Sequence, residues 1–355
     1  MLLMSQQRLT VVLSQSPGKH PAKRSLEESI VAALLFEPDL EVSVVPNLYD
    51  LGPDHTGRLF LESTKGDMVV LSWLYTRAAF WLLDRDGIQG QFGETLLKKP
   101  SDDDEEDDTP TDTDKPEAIG PAGQIPDRHI YTLDLREANS AEVFVKEIRR
   151  IAAECKQRRE ERRRQRAVNS PAIVQLGLSL AAQPTQVESE LPSALALFTP
   201  EQLLAPANRR WYPVIDYSRC TNCLECLDFC LFGVYGVDSL ERITVESQDS
   251  CKKGCPACSR VCPQSAIIFP EYKSPAIAGA ETGAVGALKI DLSRLFGGGE
   301  VDAISTAVAE RDRELVADGR GAVGATVGIP KRQSQPAGPR DDLDQLVDDL
   351  DALGL

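Results

Sequence analysis

The chain has 355 residues, of which 42% are hydrophobic but only 6% aromatic, and its formal net charge is −16. This length allows two modest domains, because a domain usually has ~100–200 residues. So acidic a chain repels the phosphate backbone, which argues against nucleic-acid partners. Residues 1–13 lack the basic start and apolar stretch of a secretory signal, and no apolar run reaches the ~18 residues of a membrane span. We therefore expect a cytoplasmic protein without a membrane span.

The first part of the chain alternates apolar, strand-like runs with segments of helical spacing. Strands are predicted at Leu9–Leu13, Leu40–Val45, Met68–Trp73 and Ile130–Leu135. After the first strand, Ser25 is a candidate N-cap, because acidic residues and then apolar residues at helical spacing follow it. A long helix is predicted over Ala141–Arg166, with its highly charged second half extending into solvent. This alternation predicts a small α/β layer domain over residues 1–166.

Three other segments lack the pattern of a packed core. Residues 101–117 contain ten acidic residues and one lysine, which predicts a disordered insertion. Residues 167–207 are rich in Ala, Pro and Gln and are predicted to be a linker. Residues 276–355 are predicted to be a mostly flexible tail, with weak helices near Val301–Ala317.

Eight of the nine cysteines lie in two tight runs between these segments, within residues 208–275. A cytoplasmic chain keeps its thiols reduced, so clustered cysteines indicate metal ligands rather than disulfides. Each run places three cysteines close enough to wrap one iron–sulfur cubane, and the fourth thiolate must come from elsewhere. Structural zinc is the competing interpretation, but a zinc site usually combines two separated CxxC pairs. The runs are Cys220, Cys223, Cys226 and Cys230, then Cys251, Cys255, Cys258 and Cys262 followed by Pro263.

Residues 211–272 resemble the bacterial-type ferredoxins that bind two [4Fe–4S] clusters, in which the last cysteine of each motif ligates the other cluster. Tyr212–Asp216 stands where such modules have their first strand, and Ala266–Ile268 matches their last one. The connection Gly233–Ser250 is long enough for a hairpin. The resemblance implies an α+β ferredoxin-like domain with two clusters, one held by Cys220, Cys223, Cys226 and Cys262, the other by Cys230, Cys251, Cys255 and Cys258.

The sequence departs from the family's pattern at two places. Cys230 is followed by Leu231, where the pattern has proline. Three residues separate Cys251 from Cys255, where the pattern has two, and Gly254 is available to absorb the extra bend. The ninth cysteine, Cys155, lies alone on a charged helix and is predicted to be a spectator thiol.

The resemblance implies one-electron transfer to or from redox protein partners. We therefore expect an electron carrier or an electron-transfer subunit rather than a stand-alone enzyme, with residues 1–166 docking the partner. Two alternatives stay open: an oxidoreductase subunit whose N-terminal domain is catalytic, and an assembly or scaffold protein with structural clusters. Against the first alternative, residues 1–166 contain no nucleophile–base pair, phosphate-binding loop or flavin fingerprint.

Overall fold

The computed structural model describes residues 8–97, 117–121, 123–169, 198–280 and 303–326. The predicted acidic insertion lies outside the described residues except for Glu117. So do residues 170–197 of the predicted linker and residues 281–302 and 327–355 of the predicted tail.

The N-terminal part is built on a five-stranded sheet in which every neighbouring pair of strands is parallel. The strand order is β2-β1-β3-β5-β4. The central strands β1 and β3 are buried along their whole length, which explains their unbroken apolar runs. The predicted α/β fold of this part is confirmed. The strands are β1 (Leu9–Ser14), β2 (Leu40–Val45), β3 (Met68–Ser72), β4 (Gln91–Phe92) and β5 (His129–Asp134).

Helices cover both faces of this sheet, and alternate strand residues divide between them. Val12 and Val70 point to one face, in a core shared with α2 and α3. Val11 and Val69 point to the other face, in a core shared with α1 and α4. These helices are α1 (Pro21–Leu34), α2 (Thr56–Ser63), α3 (Thr76–Arg85) and α4 (Ala141–Asn169).

One predicted helix start is wrong, and one predicted exposed segment makes more contacts than expected. Helix α1 begins at Pro21 with His20 as its N-cap rather than at Ser25, because proline suits the first helical turn, where its missing N–H has no partner to lose. Most residues in the charged half of α4 are exposed, as predicted. Two of its arginines nevertheless have partners in the fold. Arg162 Nη2 lies 2.7 Å from Asp127 Oδ1, and the Arg158 guanidinium lies 5.9 Å from the ring centre of Tyr131.

The second part of the chain is a small α+β unit, which we call the cysteine module (residues 208–280). Strand β6 pairs antiparallel with β9, and β7 pairs antiparallel with β8 in a hairpin. The predicted first strand, last strand and intervening hairpin are therefore all present. Its elements are β6 (Val214–Ile215), α6 (Glu225–Phe229), β7 (Tyr235–Val237), β8 (Ile243–Val245), α7 (Ala257–Val261), β9 (Ile267–Ile268) and α8 (Pro275–Ala278), preceded by a short helix α5 (Pro200–Leu203).

The cysteine module shares a hydrophobic core with the N-terminal sheet. Tyr212, Val214 and Ile268 of the module are buried in the same core as α2 and α3, and so is Leu203 of α5. The two parts therefore do not bury their apolar surfaces independently.

A further helix, α9 (Ala303–Ala317), lies in the predicted tail and packs against α7 of the module. Ala307, Val308 and Leu315 form its buried apolar side. Among the helices of the described residues, none is both long enough and apolar enough to span a membrane.

Candidate functional site

The first cysteine run forms a loop that leads into α6. Asn222 and Leu224 in this loop have positive φ angles of 57° and 60°, which reverse the chain direction between successive cysteines. The Asn222 side chain holds the loop, because its Nδ2 donates to the Glu241 carbonyl and its Oδ1 accepts from the Ile243 amide, both at 2.8 Å. The tight turn thus places Cys223 beside Cys220 and Cys226.

The second run connects a short 3₁₀ turn at Gln248–Ser250 to α7. Gly254 in the longer spacer has φ +88°, a left-handed conformation that side chains disfavour. The Cys255 amide donates to the Lys252 carbonyl at 3.0 Å and closes the turn. The extra residue after Cys251 is therefore accommodated by a glycine bend.

The eight cysteines of the two runs surround two separate cavities. The volume of the first cavity, including its opening to solvent, is about 380 Å³, and that of the second is about 320 Å³. Each cavity takes three cysteines from one run and one from the other. Cys220, Cys223, Cys226 and Cys262 line the first, and Cys230, Cys251, Cys255 and Cys258 line the second.

The other residues lining both cavities are mostly apolar. All nine cysteines of the chain are free thiols. Within the described ranges, no three His, Cys, Asp or Glu side chains converge on a position that would hold a single metal ion. A set of four desolvated thiols spread around a cavity fits a polynuclear metal group, whose several metal atoms each take one ligand.

Burial raises the pKa of six of these thiols, and the proximity of other cysteines adds to the effect. The six are Cys220, Cys226, Cys251, Cys255, Cys258 and Cys262. The pKa of Cys226 is raised by desolvation and then by Cys262, Cys220 and Cys223. Desolvation is the largest cause that raises the pKa of Cys255 to about 11. Four thiolates around such a cavity are therefore unfavourable without positive charge between them, which bound metal supplies.

Hydrogen bonds reach the sulfurs from the surrounding fold. The Tyr235 hydroxyl donates to Cys258 Sγ at 3.1 Å in the second cavity. In the first, the Ala266 amide donates to Cys262 Sγ at 3.3 Å. Burial and the nearby thiols raise the pKa of Tyr235 well above its ordinary value, so its hydroxyl remains a donor.

A buried ion pair fixes the cysteine module to the N-terminal sheet. Arg77 of α3 lies 3.1 Å from Asp216, and both side chains are buried. Arg77 also donates to the carbonyl oxygens of Gly279 and Ser265. The two residues are 139 positions apart and belong to no motif, so no local sequence pattern indicates this pair.

A second junction lies beside Cys251. The Tyr49 hydroxyl donates to the Tyr212 carbonyl at 2.5 Å, and the Tyr212 hydroxyl donates to the Tyr49 carbonyl at 2.9 Å. Cys251 itself packs against the core that these tyrosines share. One wall of the second cavity is thus continuous with the N-terminal domain.

Cys155 lies apart from both cavities. It is fully buried on the side of α4 that packs in the sheet core, and its Sγ lies 3.9 Å from the Tyr131 hydroxyl. Burial raises the pKa of this thiol to about 11. Such a thiol is protonated at neutral pH and is a poor nucleophile.

Part of the chain is similar to a protein named as a ferredoxin. A stretch of 66 residues is 47% identical to an uncharacterised ferredoxin of Methanocaldococcus jannaschii. The match covers 18% of this chain and 44% of that protein, so it spans less than half of the relative's length. No protein-family model matches the chain, and no solved structure matches it. The similarity supports a ferredoxin-like region within this chain.

Proposed function

We propose that the cysteine module binds two [4Fe–4S] clusters and carries single electrons. The supporting observation is the presence of two cavities in one small module, each lined by four free cysteines drawn from both runs. Cys220, Cys223, Cys226 and Cys262 would hold one cluster, and Cys230, Cys251, Cys255 and Cys258 the other.

A bound [4Fe–4S] cluster supplies a one-electron couple whose potential depends on charge, hydrogen bonds to sulfur and exposure to solvent. This chain's own residues act on those properties. The cysteine thiolates ligate, the Ala266 amide and the Tyr235 hydroxyl donate to ligand sulfurs, and the apolar lining excludes water.

We further infer that the α/β domain helps to select the redox partner. It is fixed to the module by the shared core and the Arg77–Asp216 pair. A partner that approaches the clusters therefore meets both surfaces in one fixed arrangement. Chemical cross-linking of the full chain to its partner would test this, with cross-links expected from residues of both parts. Cross-links confined to the module would contradict it.

Anaerobic reconstitution of the full chain with iron and sulfide tests the cluster proposal. We expect about 8 Fe per chain, and two reversible one-electron transitions in a potentiometric titration followed by electron paramagnetic resonance. Bound zinc with no reducible iron would contradict it. Eight iron atoms without reversible reduction would favour a purely structural role.

A Cys258→Ser variant adds a site-specific test. We expect it to lose or alter one cluster and leave the other, because Cys258 lines only the second cavity. Cys155→Ser is the matched control, since Cys155 lies apart from both cavities, and it should bind iron as the natural chain does.

A further inference from the structure

Arg311 is the largest of the fully buried side chains in the described residues, with 1% of its surface exposed. It extends from α9 into the wall of the second cavity, alongside Cys230 and Cys258. Its guanidinium carbon lies 4.6 Å from the ring centre of Phe229, which lines the same cavity. A helix outside the cysteine module thus adds a cation to that cavity.

The guanidinium is held in place by the next residue of its own helix and by a turn that follows the helix. Its Nη2 donates to the Gly324 carbonyl at 2.6 Å, and its Nε and Nη2 lie 3.3 Å from Asp312 Oδ1. The Asp312 side chain is 16% exposed, against 1% for Arg311. The guanidinium lines the cavity and the Asp312 carboxylate does not, so the positive member of this pair is the one that faces the cavity.

The two cavities differ in the charge of their linings. The charged side chains lining the second cavity are Arg311 and Lys252, both basic. Lys252 also forms an ion pair with Asp318. Among the described residues that line the first cavity, Glu225, an acid, is the charged one. The protein therefore surrounds two similar sets of cysteines with opposite charge.

Acidic residues of α9 also approach the second cavity, but from outside its lining. Glu310 and Glu314 lie near Cys255. Glu310 is paired with Arg260 at 2.9 Å. Neither glutamate lines the cavity, whereas Arg311 does.

We propose that Arg311, buried in the wall of the second cavity, raises the reduction potential of the cluster held by Cys230, Cys251, Cys255 and Cys258. The inference rests on the proposed function. An added electron makes a cluster more negative, and a fixed, weakly screened cation stabilises that reduced form. Electrons that enter at the first cluster then settle on the second.

The test compares full-length variants after anaerobic reconstitution. Arg311→Met removes the charge and keeps an apolar stem of similar length. Arg311→Lys keeps the charge. Arg313→Met removes an arginine from the same helix whose side chain is 66% exposed. Iron content, circular dichroism and a potentiometric titration followed by electron paramagnetic resonance are measured for each.

We expect all variants to bind about 8 Fe per chain. In Arg311→Met one transition should move to lower potential by at least 59 mV, a tenfold change in the one-electron equilibrium constant. Arg311→Lys and Arg313→Met should leave both transitions near their natural values. Glu225→Gln, which removes the acid lining the first cavity, should raise the other transition and so assign the two.

Several outcomes would overturn the inference. Unchanged transitions in an iron-loaded Arg311→Met protein would sink it while leaving the cluster proposal intact. If Arg311→Met loses iron, Arg311→Gln takes its place, because its amide can still donate to the Gly324 carbonyl. Loss of one cluster from both neutral variants would replace the inference with a purely structural role for Arg311. Absence of iron from the natural chain would instead contradict the proposed function itself.

Discussion

Asn222 combines a left-handed backbone with two hydrogen bonds from its side chain to the hairpin. Asn222→Ala removes both hydrogen bonds. It leaves a residue with a Cβ at positive φ, where no side-chain hydrogen bond offsets the backbone strain. We expect a loss of about 1–3 kcal/mol in the stability of the loaded protein, measured as a lower midpoint for thermal loss of its visible absorption. Asn222→Gly restores the backbone freedom but not the hydrogen bonds. Its stability should therefore lie between those of the natural protein and Asn222→Ala. Equal stability of all three proteins would show that this loop does not depend on residue 222.

The hydrogen bond from the Tyr235 hydroxyl to a cysteine sulfur is expected to affect the reduction potential of one cluster. Tyr235→Phe removes the hydrogen bond to Cys258 Sγ and keeps the buried ring. A net hydrogen bond contributes about 0.5–1.5 kcal/mol, so the potential of one cluster should fall by on the order of 20–60 mV. Tyr272→Phe is the matched control, because the Tyr272 hydroxyl bonds Arg260 rather than a cysteine. A fall of both transitions in Tyr235→Phe would contradict a local effect.

At the scale of elements, α9 packs against α7 of the module and contributes Arg311 to the wall of the second cavity. Leu315 is 1% exposed, while its neighbour Val316 is 57% exposed. Leu315→Asp places a charge at a buried position of this helix and should cost more than the ~2–5 kcal/mol of a cavity-forming change. We expect the helix to detach and one cluster to bleach faster in air. Val316→Asp should bleach at the natural rate, and equal rates in both variants would argue against a covering role.

The elements differ in how far the sequence predicts them. The unbroken apolar runs of β1 and β3 are recognisable because both faces of these strands are buried. Strand β4 was not predicted, because it has two exposed residues and no apolar pattern. Helix α9 was predicted only as a weak helix, since its buried side is interrupted by Arg311 and is covered by a distant segment.

The features of the candidate site also differ in how far the sequence predicts them. The cysteine spacing and the glycine bend at Gly254 are local, so the sequence contains them. The contacts of Arg77 and Arg311 are not local, because each arginine reaches the module from a separate part of the chain. A buried arginine and an exposed one are identical in sequence, and only the packing of the whole chain distinguishes them.

At the scale of the whole molecule, the Arg77–Asp216 pair joins the two parts. Arg77→Met leaves Asp216 as a buried carboxylate without its closest cation, which should cost about 3–5 kcal/mol. Urea unfolding of the loaded protein measures the loss. The control is Arg149→Met, which breaks an ion pair with Glu37 whose arginine is 59% exposed and should cost no more than about 1 kcal/mol. Similar losses in the two variants would show that burial of the first pair has no special effect.

The shared core has a consequence for how a cell makes this protein. The α/β domain leaves the ribosome first, yet Tyr212, Val214 and Ile268 of the later module complete its core. If the module folds only around its metal, as small metal-binding units do, iron starvation leaves an apolar face of the α/β domain open to proteases. We expect a pulse-chase half-life that shortens under iron chelation, and an unchanged half-life would show that the domain matures alone. Iron supply would then set how much of this protein survives, as well as how much of it is active.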